Sequence, residues 1–228
     1  MASALVIDTC GQTGYVAVVA VESSAAEAVS ERRLGVRATQ EELLPAIEAV
    51  LEEARTRLAD LTAVVVVSGP GSFTGVRIGL AAAKGLCEAE NVSLVTLSRL
   101  AVLAAAVSGV PVWAWLQAGR GEVYMTQFEG SDSLGAAATA TEETPEARVS
   151  SLHAALEAAG QDAVAVCEEA LQSAAPSVVF VETLEFEAAL RAAAAEAVRE
   201  CRWSDVALSD AMYLRVPDAE LALRASRG

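Results

Sequence analysis

"VVVVSGPGSFTGVRIGLAAAKGL", residues 64–86, carries a run of four valines into a glycine-rich turn and then into small residues at a helical spacing. A strand, a loop rich in backbone N–H groups and a helix N-terminus form an arrangement on which many proteins seat phosphate. A Walker A loop needs G-x-x-x-x-G-K-[ST], because its lysine neutralises the terminal phosphates and its hydroxyl holds magnesium. Here Val76 and Arg77 follow Gly75. Lys84, the first lysine after the loop, lies more than two helical turns along, out of reach of the N-terminus. Two readings remain. Gly69 and Gly71 permit unusual backbone conformations, Ser72 or Thr74 caps the helix, and an anion rests on its first turn. Alternatively, the stretch is a strand-to-helix turn with a good cap.

Upstream, residues 3–9 (SALVIDT) read as a buried strand, 11–14 (GQTG) as a tight turn and 15–21 (YVAVVAV) as the returning strand of a hairpin. A third strand fits 27–34, and "QEELLPAIEAVLEEARTRL" then places Leu43, Ile47, Val50 and Ala54 on one helical face. The continuous apolar run over 62–68 suits a central strand covered on both sides. A helix over 75–88 and a strand near 92–96 follow. Three strands, helix, strand, helix, strand is the element order of an actin-like (ASKHA) half-domain, in which a meander is extended by two parallel strands through helical crossovers.

Downstream, residues 111–128 predict paired strands around a Gly119–Gly121 turn. "DAVAV" and "SVVFV" predict later strands, and "EFEAALRAAAAEAVREC" a helix. No repeat is evident by eye, and residues 130–147 predict a mobile loop. The expected architecture is α/β, an actin-like (ASKHA) fold of two mixed-sheet subdomains. The first spans residues 1–100, the second 101–202, and a C-terminal tail 203–228.

Composition narrows the function. The formal charge of −15 opposes direct binding to a phosphate backbone, and no run of basic residues offsets it. Cys10, Cys87, Cys167 and Cys201 lie far apart, which fits neither a zinc site nor a disulfide framework and does fit a reducing cytoplasm. "MASALVIDT" lacks the pattern of a signal peptide, and no apolar run is long enough to span a bilayer, so a soluble cytoplasmic protein is expected. His153 is the only histidine, which argues against a histidine-based metal site and reads more simply as a surface residue starting a helix. No motif supports a Cys10/His153 nucleophile pair. Trp113 and Trp115 share one strand face and are expected in the core.

Asp8 and Thr9, at the end of the first strand, stand where actin-like ATPases gather metal and phosphate, but the second phosphate loop of such a site has no counterpart in this sequence. With Gly71 and Ser72 they read as a vestigial phosphate loop, or, more simply, Asp8 is a strand-end aspartate that caps a turn. Gly75, Gly79 and Ala83, with Ala82 beside them, form a helical stripe almost without side chains. Glycine inside a helix costs about 1 kcal/mol against alanine, so close approach of another backbone is expected there, in the same chain or in another subunit.

"GPGSFTGVRIGLAAAKGL", with "ALVIDTCGQTGYVAVV" before it and "GRGEVYMTQF" and "AMYLR" after it, closely resembles the bacterial TsaB (YeaZ) family. The likeness covers residues 4 to about 128 and returns at 211–215. It implies an actin-like scaffold without catalytic residues, in the machinery that installs threonylcarbamoyladenosine in tRNA. Such a scaffold pairs with a TsaD-type paralogue, which binds metal and transfers the threonylcarbamoyl group, and a TsaE-type ATPase docks on the pair. The resemblance implies no cofactor or metal of the chain's own, with ATP or ADP and metal on partner subunits. It also implies tRNA contact only through the complex, no membrane, and a monomer or homodimer when alone. Partner contacts carried over by the resemblance are Leu43, Ile47, Gly75, Arg77, Gly79, Ala82 and Ala83. Ala38 stands where relatives commonly have histidine before "TQ", and Gln117 where many have the aspartate of "DAR". The competing reading is an enzyme, either a small actin-like ATP-dependent phosphotransferase or a glycoprotease-like hydrolase.

Overall fold

The computed structural model describes residues 2–22, 27–36, 38–107, 112–128, 147–159, 164–168, 171, 178–212 and 214. Residues 130–146 of the loop expected at 130–147, and the end of the C-terminal tail, lie outside the described residues. The strands are β1 (Ser3–Asp8), β2 (Gly14–Ala20), β3 (Ala28–Leu34), β4 (Ala63–Gly69), β5 (Ser93–Ser98), β6 (Val112–Gly119), β7 (Glu122–Phe128), β8 (Arg148–Ser151), β9 (Val164–Glu168) and β10 (Val179–Val181). The α-helices are α1 (Thr39–Glu53), α2 (Phe73–Glu90), α3 (Arg99–Ala105), α4 (Leu152–Ala159) and α5 (Thr183–Arg199). Strand β8 and helix α3 are not anticipated from the sequence. The first is short, and the second lies across the expected subdomain boundary.

The first sheet has the order β3-β2-β1-β4-β5 and the second β8-β7-β6-β9-β10. In each, a three-stranded antiparallel meander is extended by two parallel strands on the far side of its first strand. The two halves therefore share one topology, although no repeat is legible in the sequence. This is the actin-like (ASKHA) plan. Strand β4 is central and buried along its whole length, as its valine run requires. Edge strand β3 instead alternates and carries Glu31, Arg32 and Arg33, charges that discourage further pairing.

The last helix of each half serves the other half's core. Leu100, Ala101, Leu103 and Ala104 of α3 pack with Val112, Ala114 and Leu116 of the second sheet. Ala189, Leu190, Ala193, Ala194, Ala197 and Val198 of α5, within the stretch expected to form the second unit, pack into the core of the first sheet. A polar network ties α5 to that sheet. Arg33 Nε donates to buried Glu187 at 2.7 Å, and Arg191 donates to the Tyr15 hydroxyl at 2.8 Å, which donates to Glu31 at 2.6 Å. Burial, then the hydrogen bond to Glu31, hold the Tyr15 phenol far above its usual range, so it persists as a donor. Trp113 and Trp115 lie between the second sheet and α4, Trp115 fully buried and Trp113 half-buried.

Helix α2 seats directly on the end of β1. Gly75, Gly79 and Ala83 are buried against it. A Cβ on Gly75 would overlap the Thr9 carbonyl oxygen, and one on Gly79 would overlap Thr9 Oγ1. The Thr9 hydroxyl donates to the Gly75 carbonyl at 2.7 Å. At Gly75 and Gly79 the missing side chains make room for Thr9 of the same chain, the first of the two neighbours that the stripe left open. Leu43 and Ile47, expected with the stripe at a partner surface, are buried in the first core at 2% and 4% exposure.

Gly79→Leu is expected to lower the melting temperature, because overpacking a filled site costs about 1–3 kcal/mol, roughly 2–12 °C for a chain of this size. Thermal denaturation measures it. Gly79→Ala is expected to be milder and to be partly rescued by Thr9→Ala, which removes the oxygen its methyl group meets.

Candidate functional site

The residues expected to form a phosphate loop do come together, at the C-terminal ends of β1 and β4. Asp8 is buried; its Oδ1 accepts the Cys10 N–H at 2.8 Å, and its Oδ2 lies 3.7 Å from Arg99 Nε. The cation beside the strand-end aspartate is therefore a guanidinium from the start of α3. Arg99 carries no local signal in the sequence, since nothing near it connects it to residue 8.

The glycine loop folds back onto the turn after β1. The Ser72 N–H donates to the Cys10 carbonyl at 2.8 Å, and the Gly75 N–H donates to Ser72 Oγ at 3.2 Å. Ser72 is thus the N-cap, one of the two caps expected, and Asn91 closes the helix in the left-handed conformation with φ 53°. Two N–H groups that a bound phosphate would use are already engaged. A Cβ on Gly71 would press into Cys10, whose Cβ is 2.8 Å away. Both that glycine and Gly75 answer to close packing on residues 9 and 10.

Above the loop lies an open cleft of about 670 Å³. Thr39 and Gln40 from α1, Thr74 from α2, Arg99 and Gln117 contribute polar groups, and among the described residues no carboxylate lines it. Gln117 stands on its wall, so the departure from the "DAR" pattern removes an acid from this cleft. At Ala38, the other departure, α1 begins without a side-chain cap; the Glu42 carboxylate instead accepts the Gly35 N–H at 2.7 Å, bracing the helix entry.

Thiol chemistry finds no support here. Burial, then the charge of Asp8, raises the Cys10 thiol well above its ordinary range, and its Sγ donates to the Val67 carbonyl at 3.2 Å. His153 is exposed on α4, beside Glu157. Among the described residues no three His, Cys, Asp or Glu side chains gather as a metal site, and no helix is long and apolar enough to cross a membrane.

With its small-residue face turned inward, α2 turns Phe73 and Arg77 outward. The Arg77 guanidinium stacks 3.9 Å from the Phe73 ring centroid. Leu44 on α1 and Val36 before it are exposed at 61% and 63%, and Phe73 at 41%. Ala82 is half-buried. Of the residues expected at a partner surface, Arg77 and Ala82 are accessible, while Leu43, Ile47, Gly75, Gly79 and Ala83 are not.

Comparison with known proteins agrees with this architecture. The family model described as TsaD, tRNA N6-adenosine threonylcarbamoyltransferase, matches residues 27–209. The Escherichia coli tRNA threonylcarbamoyladenosine biosynthesis protein TsaB is 33% identical over 95 residues, 40% of this chain and 41% of that protein. Its Bacillus subtilis namesake is 35% identical over 103 residues, 44% and 43% of the two chains. A tRNA N6-adenosine threonylcarbamoyltransferase from Erythrobacter litoralis is 40% identical over 67 residues, 29% of this chain and 20% of that one. The chain thus spans less than half the length of the curated relatives it matches. A solved structure of YeaZ from Pseudomonas aeruginosa superposes with a TM-score of 0.71 at 21% identity, covering 94% of this chain and all of that one, a likeness of fold. The chain belongs to the TsaD family of tRNA N6-adenosine threonylcarbamoyltransferases, and within it resembles the TsaB (YeaZ) proteins.

Proposed function

We propose that this chain is a non-catalytic subunit in the synthesis of threonylcarbamoyladenosine on tRNA, a scaffold that pairs with a TsaD-type paralogue and supports a TsaE-type ATPase. The observation that carries this reading is the filling of the phosphate loop from within. Ser72 and Gly75 spend their N–H groups inside the chain, and Arg99 stands against Asp8. A metal ion bridging Asp8 to a phosphate would have to displace that guanidinium. In this reading the chain holds no nucleotide or metal of its own, and those ligands belong to its partners.

The docking surface in this reading is the outward side of α1 and α2, built on Phe73, Arg77, Leu44 and Val36. It replaces the buried stripe. Phe73→Asp and Leu44→Asp place a charge at a desolvated contact and are expected to weaken binding to the TsaD-type paralogue at least tenfold, as read by titration calorimetry. Their melting temperatures should stay within about 2 °C of the parent, because surface changes away from packed features shift stability by only about 0.5 kcal/mol. Unchanged affinity in both variants moves the surface elsewhere.

The open cleft beside Arg99 favours the enzymatic alternative, a phosphotransferase or hydrolase. Phosphate release from ATP with magnesium decides between them. The scaffold predicts background rates for the purified chain, and turnover that Asp8→Asn abolishes would establish the enzyme. The scaffold also touches tRNA only through its complex. A charge of −15 repels the polyanion most strongly at low salt, where a true nucleic-acid binder is tightest. A gel-shift titration at low ionic strength is therefore expected to give no complex below about 10 μM, roughly 7 kcal/mol of binding free energy.

A further inference from the structure

After α5 the chain returns to the first sheet as a strap, residues 202–212, anchored at three places. At the first, the Ser204 N–H donates to the Leu94 carbonyl at 2.8 Å and Ser204 Oγ accepts the Thr96 N–H at 3.0 Å, covering part of the open edge of β5. At the last, the Met212 N–H donates to the Ser68 carbonyl at 2.8 Å, immediately before the glycine loop. The middle anchor is Lys84, the only lysine in the sequence. Its Nζ donates to the Ser209 carbonyl at 3.0 Å and reaches the Ala207 carbonyl at 3.4 Å.

The strap is shaped to present those carbonyls. Asp205 Oδ1 accepts the N–H groups of Ala207 and Leu208 at 2.7 and 3.0 Å, and its carbonyl accepts the Ser209 N–H at 2.9 Å. The turn's donors are thereby consumed internally, and two of its carbonyl acceptors point at one ammonium. Leu208, between them, is turned outward and is 81% exposed. Val206 packs partly buried against the first core and Ala211 is buried in it, while Lys84 supplies the polar anchor for the carbonyls between them. Beyond the turn, the Met212 carbonyl lies 3.3 Å from where a Cβ on Gly69 would stand, and Gly69 adopts φ +112°. The strap thus backs directly onto the residue from which the loop departs.

We propose that residues 202–212 form a conformational brace latched by Lys84, and that its closed position fixes the glycine loop and the first turn of α2. Lys84 is a positioning residue. It touches neither the cleft nor the loop, and acts on them only through the strap. The inference rests on this geometry alone, so it stands or falls apart from the scaffold reading.

Hydrogen exchange of the full chain at neutral pH tests it. In Lys84→Gln, which keeps a polar side chain but loses the charge and reach of the ammonium, amide exchange across 203–212 is expected to speed about tenfold. Exchange of residues 69–76, including the Ser72 N–H, should speed with it. Lys84→Arg, which retains a cationic donor, should restore protection in both segments. Protection in β1 and β4 monitors the fold. Should Lys84→Gln lose it, Ser204→Ala, which removes the Oγ bonds to Thr96 and leaves the backbone bond to Leu94, carries the same comparison. An unchanged strap, or a loosened strap with an unchanged loop, overturns the proposal.

Discussion

The contact between Thr9 and the first two turns of α2 sets the geometry of this end of the molecule. A helix can lie this close to a strand end only where its own side chains are absent, and Gly75 and Gly79 leave that space. The Thr9 hydroxyl then bonds the helix backbone instead of water. Once that seat is fixed, Ser72 falls opposite the Cys10 carbonyl and the loop has one way to close. The same rotation of the helix decides what faces outward. With its small residues against β1, α2 can only present Phe73 and Arg77 to solvent.

Much of this was legible in sequence because it rests on local periodicity. The meander, the buried valine strand, the Ser72 cap and the hairpin around Gly119 and Gly121 all follow from alternation, helical spacing or glycine placement. The direction of the small-residue stripe did not follow. A helix face bare of side chains records that something comes close, and carries no label for whether that neighbour belongs to the same chain. Nor could α5 be placed. Its alanine-rich face suits any close-packed core, and the partner of Glu187 is Arg33, a residue 154 positions away. Arg99 and Asp8 pose the same difficulty, since the sheet must form before the two meet.

Charge is handled in a consistent way in this acidic chain. Arg33, Arg99 and Arg191 each engage a carboxylate that the fold takes out of water, wholly at Asp8 and Glu187 and partly at Glu31. A planar guanidinium meets a carboxylate with several directed donors, which suits such positions better than an ammonium. Breaking a buried pair costs more than forming it gains, so these arginines hold the halves in register more than they add net stability. Two of them, Arg33 and Arg191, join α5 to the first sheet, where the chain's return would otherwise rest on apolar packing alone.

The glycine-rich loop shows how a ligand-like motif can persist on packing grounds. Gly69 is required because its backbone is left-handed and Met212 lies behind it; Gly71 because Cys10 presses on it; Gly75 because Thr9 does. Ser72 is required as the cap. Each position has a reason inside the chain, and none of those reasons involves a phosphate. A turn that once served an anion, with its N–H groups now bonded to Cys10 and Ser72, would keep its sequence pattern as long as a helix must be launched close to the end of β1. The motif therefore reports the fold while carrying little information about chemistry at the loop itself, and the docking surface proposed for this chain lies on the outward face of the helix it launches.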